Sequence, residues 1–300
     1  MLARWQLDLL LSGWSIIYKG RVLKKEWSEH LRRTKQFLTN SLEGGADLHV
    51  LGAGRLLDFP LKDLLERYQE IHLYDGDLGA VRYFKKLKKN FPKIEPHLAE
   101  LTGGLSKFRS KLDKFDSIDN LFSHLEFADF VDLSKEINIS PEGQVVSLNL
   151  LSQLPLGYRQ VFERWILNRC GRKFHKEKEV GWLTEYNQLG QNIIRSHTKL
   201  LTGKNPRKVV LISDTEQIFY PTKLNCLPTP KEIPFSWEVD SGQIEPLEVT
   251  SSICGLDLNP DLFPGYKITK KDFWPWNLAK AQRGQMGIVC RVDALELKSL

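Results

Sequence analysis

Hydrophobic and polar positions recur along this chain in two periods, one typical of helices and one typical of strands. Between positions 5 and 42 the apolar and charged residues follow helical spacing, with Leu31 and Phe37 on the apolar side and Arg32 on the polar side. Two glycines follow at positions 44 and 45. The pattern therefore predicts helices at the start of the chain that end before this glycine pair.

Short apolar runs then alternate with helical segments. The run at 47–51 (DLHVL) ends at a glycine-rich turn, after which Asp58 and Pro60 are typical of a helix start. A second run at 71–74 (IHLY) comes before the amphipathic segment AVRYFKKLKKN. This βαβα order predicts a parallel sheet with helices on its faces.

Further strand candidates follow, and a long helical stretch that ends near position 200 lies between the second and third of them. They lie at 93–98, 144–148, 208–213 and 286–292, and a proline-rich, irregular segment occupies 221–250. We predict an α/β fold built on a mostly parallel, doubly wound sheet of about seven strands. Its parts are an N-terminal helical extension at 1–45, a nucleotide-binding core at 46–220, and an irregular insertion with the final strand pair of the same domain at 221–300.

Composition indicates a folded globular chain. Hydrophobic residues make up 41% and charged residues 27% of the 300 positions, which excludes a disordered or rod-like chain. A net charge of +6 is compatible with an anionic partner but does not establish one. Basic clusters at 85–90, 203–208 and 267–271 lack interleaved aromatic residues, so we interpret them as solvated faces and regard nucleic acid as a weakly supported partner.

The four cysteines form no CxxC pair, and no histidine cluster has the spacing of a zinc site. We therefore predict reduced thiols and no metal site. No window approaches the ~20 apolar residues that a membrane-spanning helix needs, and the first residues lack a secretion signal. We expect a cytoplasmic protein with no membrane partner.

The turn after the first predicted strand carries the clearest chemical signal. Gly52 and Gly54 flank Ala53, and glycines there let a ligand approach the backbone closely. Asp75 ends the next predicted strand, 21 residues after Gly54. That spacing is typical of a carboxylate that accepts hydrogen bonds from the two hydroxyls of a bound ribose.

Two cofactor classes use such a turn and acid. A dinucleotide site normally has a third glycine, but Leu57 stands at that position. The next residue is Asp58, whose charge repels a pyrophosphate and attracts a cationic amino-acid group. These residues favour S-adenosylmethionine over NAD.

The segments VLGAGRLLD, LYDGD, PHLAELTGG and VVSLNLLSQLP stand in an order that resembles the class I, seven-stranded S-adenosylmethionine-dependent methyltransferases. The resemblance implies that Gly52 and Gly54 border the methionine end of the cofactor and that Asp75, followed by Gly76, binds the ribose. It also implies that Glu100 or Leu101 lies beside the adenine.

In the fourth segment the resemblance places Asn149 between the cofactor and the methyl acceptor, as a positioning residue. Two departures accompany it. Glu100 replaces a more usual aspartate, and Leu150 and Leu151 replace the proline pair of enzymes that methylate amino groups through an Asn-Pro-Pro-aromatic motif. The second departure argues against methylation of DNA adenine or protein glutamine.

A general base is optional for methyl transfer, because the sulfonium already activates the methyl group. Candidates for such a base lie near the carboxyl ends of the predicted strands. His197 lies on an apolar helical stripe, so we predict that it is a core residue. The base candidates are His97, Tyr158, Asp214 and Glu216. Aromatic residues of a possible acceptor pocket or lid, for which core packing is the simpler interpretation, are Trp14, Tyr18, Trp27, His30, Trp237, Trp274 and Trp276.

The sequence therefore predicts an S-adenosylmethionine-dependent methyltransferase with a small-molecule acceptor. One alternative is a non-catalytic relative that keeps the fold as a binding or interaction module. Another is an NAD-dependent oxidoreductase. The oligomeric state is not readable from the sequence.

Overall fold

The computed structural model describes residues 18, 20–115, 137, 139–170, 176–220, 248–279 and 286–300. Its helices are α1 (Lys24–Ser41), α2 (Leu61–Leu65), α3 (Leu78–Asn90), α4 (Leu105–Leu112), α5 (Gln153–Cys170) and α6 (Lys176–Gly203), with a 3-10 turn at Pro260–Leu262. Its strands are β1 (Gly45–Leu51), β2 (Tyr68–Asp75), β3 (Ile94–Leu98), β4 (Gln144–Leu148), β5 (Lys208–Tyr220), β6 (Glu248–Ser251), β7 (Tyr266–Ala279) and β8 (Gly287–Ser299).

All eight strands form one sheet, in the order β3-β2-β1-β4-β5-β8-β7, with β6 paired to β5. The pairs among β1 to β5 are parallel, whereas β8 runs antiparallel to both of its neighbours. The predicted α/β class and mostly parallel sheet are confirmed, with eight strands where about seven were expected. The order reverses between β1 and β4, and this switch point is where ligands bind in open α/β sheets.

Helices cover both faces of the sheet. On one face α1, α2 and α3 pack against strand residues that include Leu48 and Val146. On the other face α4, α5 and α6 pack against Val145 and Leu211. Because side chains alternate along a strand, the apolar runs of β1, β4 and β5 are buried on both sides, as in other parallel sheets. The doubly wound arrangement is therefore confirmed.

Several sequence predictions need adjustment. β5 continues to Tyr220, and β8 continues to Ser299, well beyond the apolar runs that indicated them. The basic segment 267–271, which was interpreted as a solvated face without an assigned element, belongs to β7 at the edge of the sheet. Most of the irregular segment 221–250, with Trp237 and Cys226, lies outside the described residues, as does Trp14. Among the helices that the structure describes, none is long and apolar enough to cross a membrane.

Buried Lys208 fastens the end of α1 to the sheet. Its Nζ donates hydrogen bonds to the Ser41 carbonyl at 2.7 Å and to Glu43 Oε1 at 2.6 Å. Lys298 Nζ donates to the same Glu43 oxygen at 3.1 Å. The hydrogen bond from Lys208, followed by that from Lys298, lowers the pKa of Glu43 to about 2.

We expect the Glu43 carboxylate to contribute to the stability of the fold. Glu43→Gln should lower the free energy of unfolding at pH 7 by about 1 kcal/mol, because the carboxylate is partly exposed and its ion pairs are screened. A depressed folded pKa stabilises the protein above the unfolded value near 4.5, and this contribution is lost as the pH falls towards 2. Urea unfolding at pH 7 and pH 2 measures it, with Glu66→Gln as a control. Equal stability of Glu43→Gln and the unmodified protein at pH 7 contradicts the expectation.

Candidate functional site

The turn between β1 and α2 needs glycine at two positions for different reasons. Gly52 has a φ of +73°, and an added Cβ would lie 3.0 Å from the Leu148 carbonyl oxygen and 3.1 Å from Leu150 Cβ. This close approach joins the turn to the end of β4. Gly54 has a φ of +53°, but a Cβ there would meet nothing within 4 Å. The backbone at Gly54 is therefore open on the side where a side chain would project.

Asp75 ties the end of β2 to this turn. Its Oδ2 accepts a hydrogen bond from the Gly54 N–H at 2.7 Å, and its Oδ1 accepts one from the Asp77 N–H at 2.7 Å. Burial raises the pKa of Asp75 to about 6, although both backbone hydrogen bonds oppose the shift. Each carboxylate oxygen has a second lone pair, so the group keeps acceptor capacity for a ligand. The structure thus brings the glycine turn and the acid together, and the binding of a ribose by Asp75 stays a prediction.

A half-buried acid and a half-buried amide face each other beside the turn. Asp58 Oδ2 accepts a hydrogen bond from Asn149 Nδ2 at 2.7 Å, across 91 positions of sequence. Burial raises the pKa of Asp58, and the hydrogen bond from Asn149 acts in the opposite direction. Asn149 has a φ of +48°, a left-handed conformation that asparagine tolerates better than most residues. Its backbone N–H donates a hydrogen bond to the Ile212 carbonyl at 2.8 Å, which fixes the residue at the end of β4.

A cavity of about 140 Å³ lies over the turn and this pair. Its walls come from α1, the turn after β1, the end of β4 and β7. Four buried polar atoms of its lining have no hydrogen-bond partner in the described part of the chain: Trp27 Nε1, Arg55 Nε, Asn149 Oδ1 and Trp276 Nε1. Unpaired buried polar atoms are uncommon in folded proteins, and their concentration here indicates a place for a ligand or water.

The aromatic wall of this cavity also joins α1 to β7. His30 stacks on Trp276 with ring centroids 4.3 Å apart, and its Nδ1 accepts a hydrogen bond from Trp274 Nε1 at 3.0 Å. Burial lowers the pKa of His30 to about 3, so the ring is neutral near pH 7. Trp27 meets Trp276 edge to face at 5.3 Å. Trp274 therefore packs in the core, as the simpler interpretation had it. Trp27, His30 and Trp276 pack in the core and also line the cavity. Tyr18 is exposed.

The carboxylate of Glu100 caps helix α4. It accepts hydrogen bonds from the side chains or backbone of Thr102, Gly104, Leu105 and Ser106. Leu101 is buried in the core on the same side of the sheet. Capping fixes the loop after β3, and a position beside an adenine stays a prediction for both Glu100 and Leu101.

The candidate bases do not line the cavity at Asn149. Asp214 is 1% exposed and accepts a hydrogen bond from Ser152 Oγ at 2.5 Å, and burial raises its pKa. Tyr158 donates to the Thr102 carbonyl at 2.9 Å, and His97 contacts His72. His197 is fully buried and pairs with Ser147, which agrees with a core role.

Sequence reasoning missed two residues of the cavity, Arg55 and Gln153. Arg55 follows Gly54 directly, and its guanidinium carbon lies 5.7 Å from the centroid of the Tyr83 ring. Gln153 begins α5, one helical turn after Asn149. Their nearness to Gly54 and Asn149 was the available signal.

No protein-family model and no curated protein sequence matches this chain. Solved structures similar to it include S-adenosylmethionine-dependent methyltransferases from Aquifex aeolicus (10% identity, 94% of this chain and 98% of that chain, TM-score 0.39) and Leishmania major (12%, 98% and 83%, 0.41). The N-methyltransferase NodS from Bradyrhizobium japonicum is also similar, with 8% identity over 91% of this chain and 95% of that chain and a TM-score of 0.38. Similarity at this level concerns the course of the backbone and not the identity of a ligand.

Proposed function

We propose that the chain is an S-adenosylmethionine-dependent methyltransferase. The observation that carries the proposal is the contact between Asp75 and the Gly54 N–H at the switch point of the sheet. It sets a carboxylate with spare acceptor capacity beside a backbone that is open at Gly54. A ribose diol suits the carboxylate, and the open backbone suits the chain attached to that ribose.

The local structure argues against a dinucleotide. Dinucleotide sites place the pyrophosphate at the N-terminus of the helix that starts within the glycine turn. Here α2 starts only at Leu61, seven positions after Gly54, and has five residues. Half-buried Asp58 adds a negative charge next to the turn. A cationic group of S-adenosylmethionine would relieve the desolvated carboxylate, whereas a pyrophosphate would be repelled.

The residues of the site have distinct roles in this proposal. Asp75 holds the ribose, assisted by the backbone of Gly76, while Gly52, Ala53 and Gly54 border the methionine end. When bound, S-adenosylmethionine supplies an activated methyl group. Asn149 Oδ1 accepts a hydrogen bond from the N–H or O–H of the acceptor and so positions it, because Asp58 fixes the amide through Nδ2.

A small acceptor fits the cavity best. The methionine end of the cofactor borders the same cavity at Gly52, Ala53 and Gly54, so only part of its volume of about 140 Å³ remains for the acceptor, and indole rings form part of the wall. Indole N–H groups of Trp27 and Trp276 offer donors to a polar atom of such a molecule. Whether methyl transfer occurs is decided by S-adenosylhomocysteine formation with a panel of small acceptors.

Calorimetric titration tests the choice of cofactor. We expect S-adenosylmethionine and S-adenosylhomocysteine to bind with one site per chain and NAD to show no saturable binding. Binding of NAD alone contradicts the proposal. Binding of S-adenosylmethionine without product formation on any acceptor supports a non-catalytic binding protein instead.

The raised pKa of Asp75 predicts a pH dependence of cofactor binding. Ribose hydroxyls donate to the ionised carboxylate, so protonation near pH 6 competes with binding. We expect constant affinity above pH 7 and a decrease of about tenfold per pH unit below pH 6. Arg55 and Asp77, whose charges also act on Asp75, shift the midpoint but not the direction. Titrations from pH 5 to pH 8 measure it, and a flat profile contradicts the role of Asp75.

A further inference from the structure

Strands β1, β2 and β3 carry a polar row on the face opposite α1, apart from the glycine turn. β1 contributes Asp47 and His49, and β2 contributes Glu70 and His72, all on the same face because side chains alternate along a strand. The register pairs Asp47 with Glu70 and His49 with His72. Two carboxylates therefore stand directly opposite each other on neighbouring strands.

This arrangement is electrostatically unfavourable without a cation. Like charges directly opposite on neighbouring strands destabilise a sheet. Within the described part of the chain, neither Asp47 nor Glu70 forms an ion pair with a lysine or arginine. The nearest basic partner is His72, whose Nε2 lies 3.4 Å from Glu70 Oε2.

We propose that Asp47, Glu70 and His72 bind a zinc ion. One ligand atom of each residue lies within 4.8 Å of the other two. Ligands about 2 Å from a shared zinc ion lie within about 4 Å of one another, so a small rotation of the exposed Glu70 side chain completes the set. Two carboxylate oxygens and one imidazole nitrogen leave a fourth position for water. The imidazole favours zinc over magnesium or calcium, which prefer oxygen ligands alone.

The surroundings support a metal ligand role for these side chains. His72 Nδ1 lies 3.1 Å from His97 Nε2, which fixes the ring with Nε2 towards Glu70. Asp47 Oδ2 accepts a hydrogen bond from Ser140 Oγ at 3.0 Å. Metal-binding histidines and carboxylates are oriented by such secondary hydrogen bonds in known metal sites.

A further buried nitrogen beside the set has unmet hydrogen-bonding capacity. His49 is 2% exposed and stacks on His72 with ring centroids 4.7 Å apart. Its Nδ1 contacts the Tyr74 hydroxyl at 3.3 Å, but its Nε2 has no partner in the described structure. An unpaired imidazole nitrogen on the ring that stacks on His72 suits a water molecule bound to the cation.

Zinc titration of the full chain after removal of metals by chelation tests the site. We expect one zinc ion per chain, a zinc-dependent rise in Tm, and no comparable effect of magnesium. Glu70→Gln should weaken zinc binding about tenfold or more, since the removed charge belongs to a direct ligand. Glu70 is exposed, with 56% of its side-chain surface accessible, so this variant is expected to fold. Glu29→Gln on α1, which packs against the opposite face, is the matched control and should bind zinc normally.

X-ray absorption at the zinc edge distinguishes this site from the cysteines. We expect only nitrogen and oxygen ligands at about 2.0–2.2 Å. Sulfur at about 2.3 Å, equal zinc affinity of Glu70→Gln and the unmodified chain, or no zinc binding at all overturns the proposal. None of these readouts depends on the methyltransferase assignment.

Discussion

Gly54→Ala is expected to abolish measurable binding of S-adenosylmethionine while leaving the protein folded. An alanine Cβ meets no protein atom within 4 Å, so the substitution creates no internal clash. It projects instead into the space that the proposed function gives to the cofactor, where the ligand must approach the backbone closely. Calorimetry should show a loss of at least about 100-fold, equivalent to about 2.7 kcal/mol.

The conformation of Gly54 requires a matched control. Its φ of +53° costs a residue with a Cβ about 1–2 kcal/mol of stability. Gly265 has a φ of +81°, and a Cβ there also meets nothing within 4 Å. Gly265→Ala should therefore lose similar stability and bind the cofactor normally. Normal cofactor binding by folded Gly54→Ala contradicts the position assigned to the cofactor. Equal losses of cofactor affinity in the two variants contradict it as well.

Asp75→Asn is expected to weaken S-adenosylmethionine binding by about 1–3 kcal/mol, or about 5- to 150-fold. The amide replaces one acceptor oxygen with a donor, so the ribose loses a charge-assisted hydrogen bond and one of the backbone N–H groups of Gly54 and Asp77 loses its acceptor. The variant should also lose the decrease in affinity below pH 6, because the titrating group is absent. Calorimetry at pH 5.5 and pH 7.5 measures both effects.

Asp77→Asn provides the control two positions away. Asp77 Oδ1 caps α3 by accepting from the Gly79 N–H at 2.7 Å, and asparagine caps helices about as well as aspartate. This variant should keep the affinity of the unmodified chain at pH 7.5 and still lose affinity at low pH, with the midpoint moved to lower pH because the charge of Asp77 no longer raises the pKa of Asp75. Unchanged affinity in a folded Asp75→Asn protein rejects Asp75 as the ribose ligand.

The parallel half of the fold was predictable from local sequence. Strands such as 144–148 are buried on both faces, so they appear as continuous apolar runs. A final strand pair was expected within 221–300, but the position of β7 was not identified, because it is an edge strand with mostly exposed residues from Lys267 to Phe273 and a proline at 275. Edge strands tolerate both features, whereas central strands do not.

Local sequence likewise predicted one part of the candidate site and not the other. Gly54 and Asp75 belong to two successive βα units, so their spacing along the chain already indicated a contact. The pairing of Asp58 with Asn149 depends on β1 and β4 being neighbours, which no local pattern encodes. The proposed ligand set around His72 likewise depends on the register of β1 against β2, and the prediction of no metal site considered only linear spacing.

Crystallography of the chain with bound S-adenosylhomocysteine tests the central claim most directly. The account predicts both ribose hydroxyl oxygens within about 2.6–3.2 Å of the Asp75 carboxylate oxygens, with the amino-acid end of the ligand along Gly52 to Gly54. A nucleoside bound elsewhere, or a ribose without contact to Asp75, contradicts it.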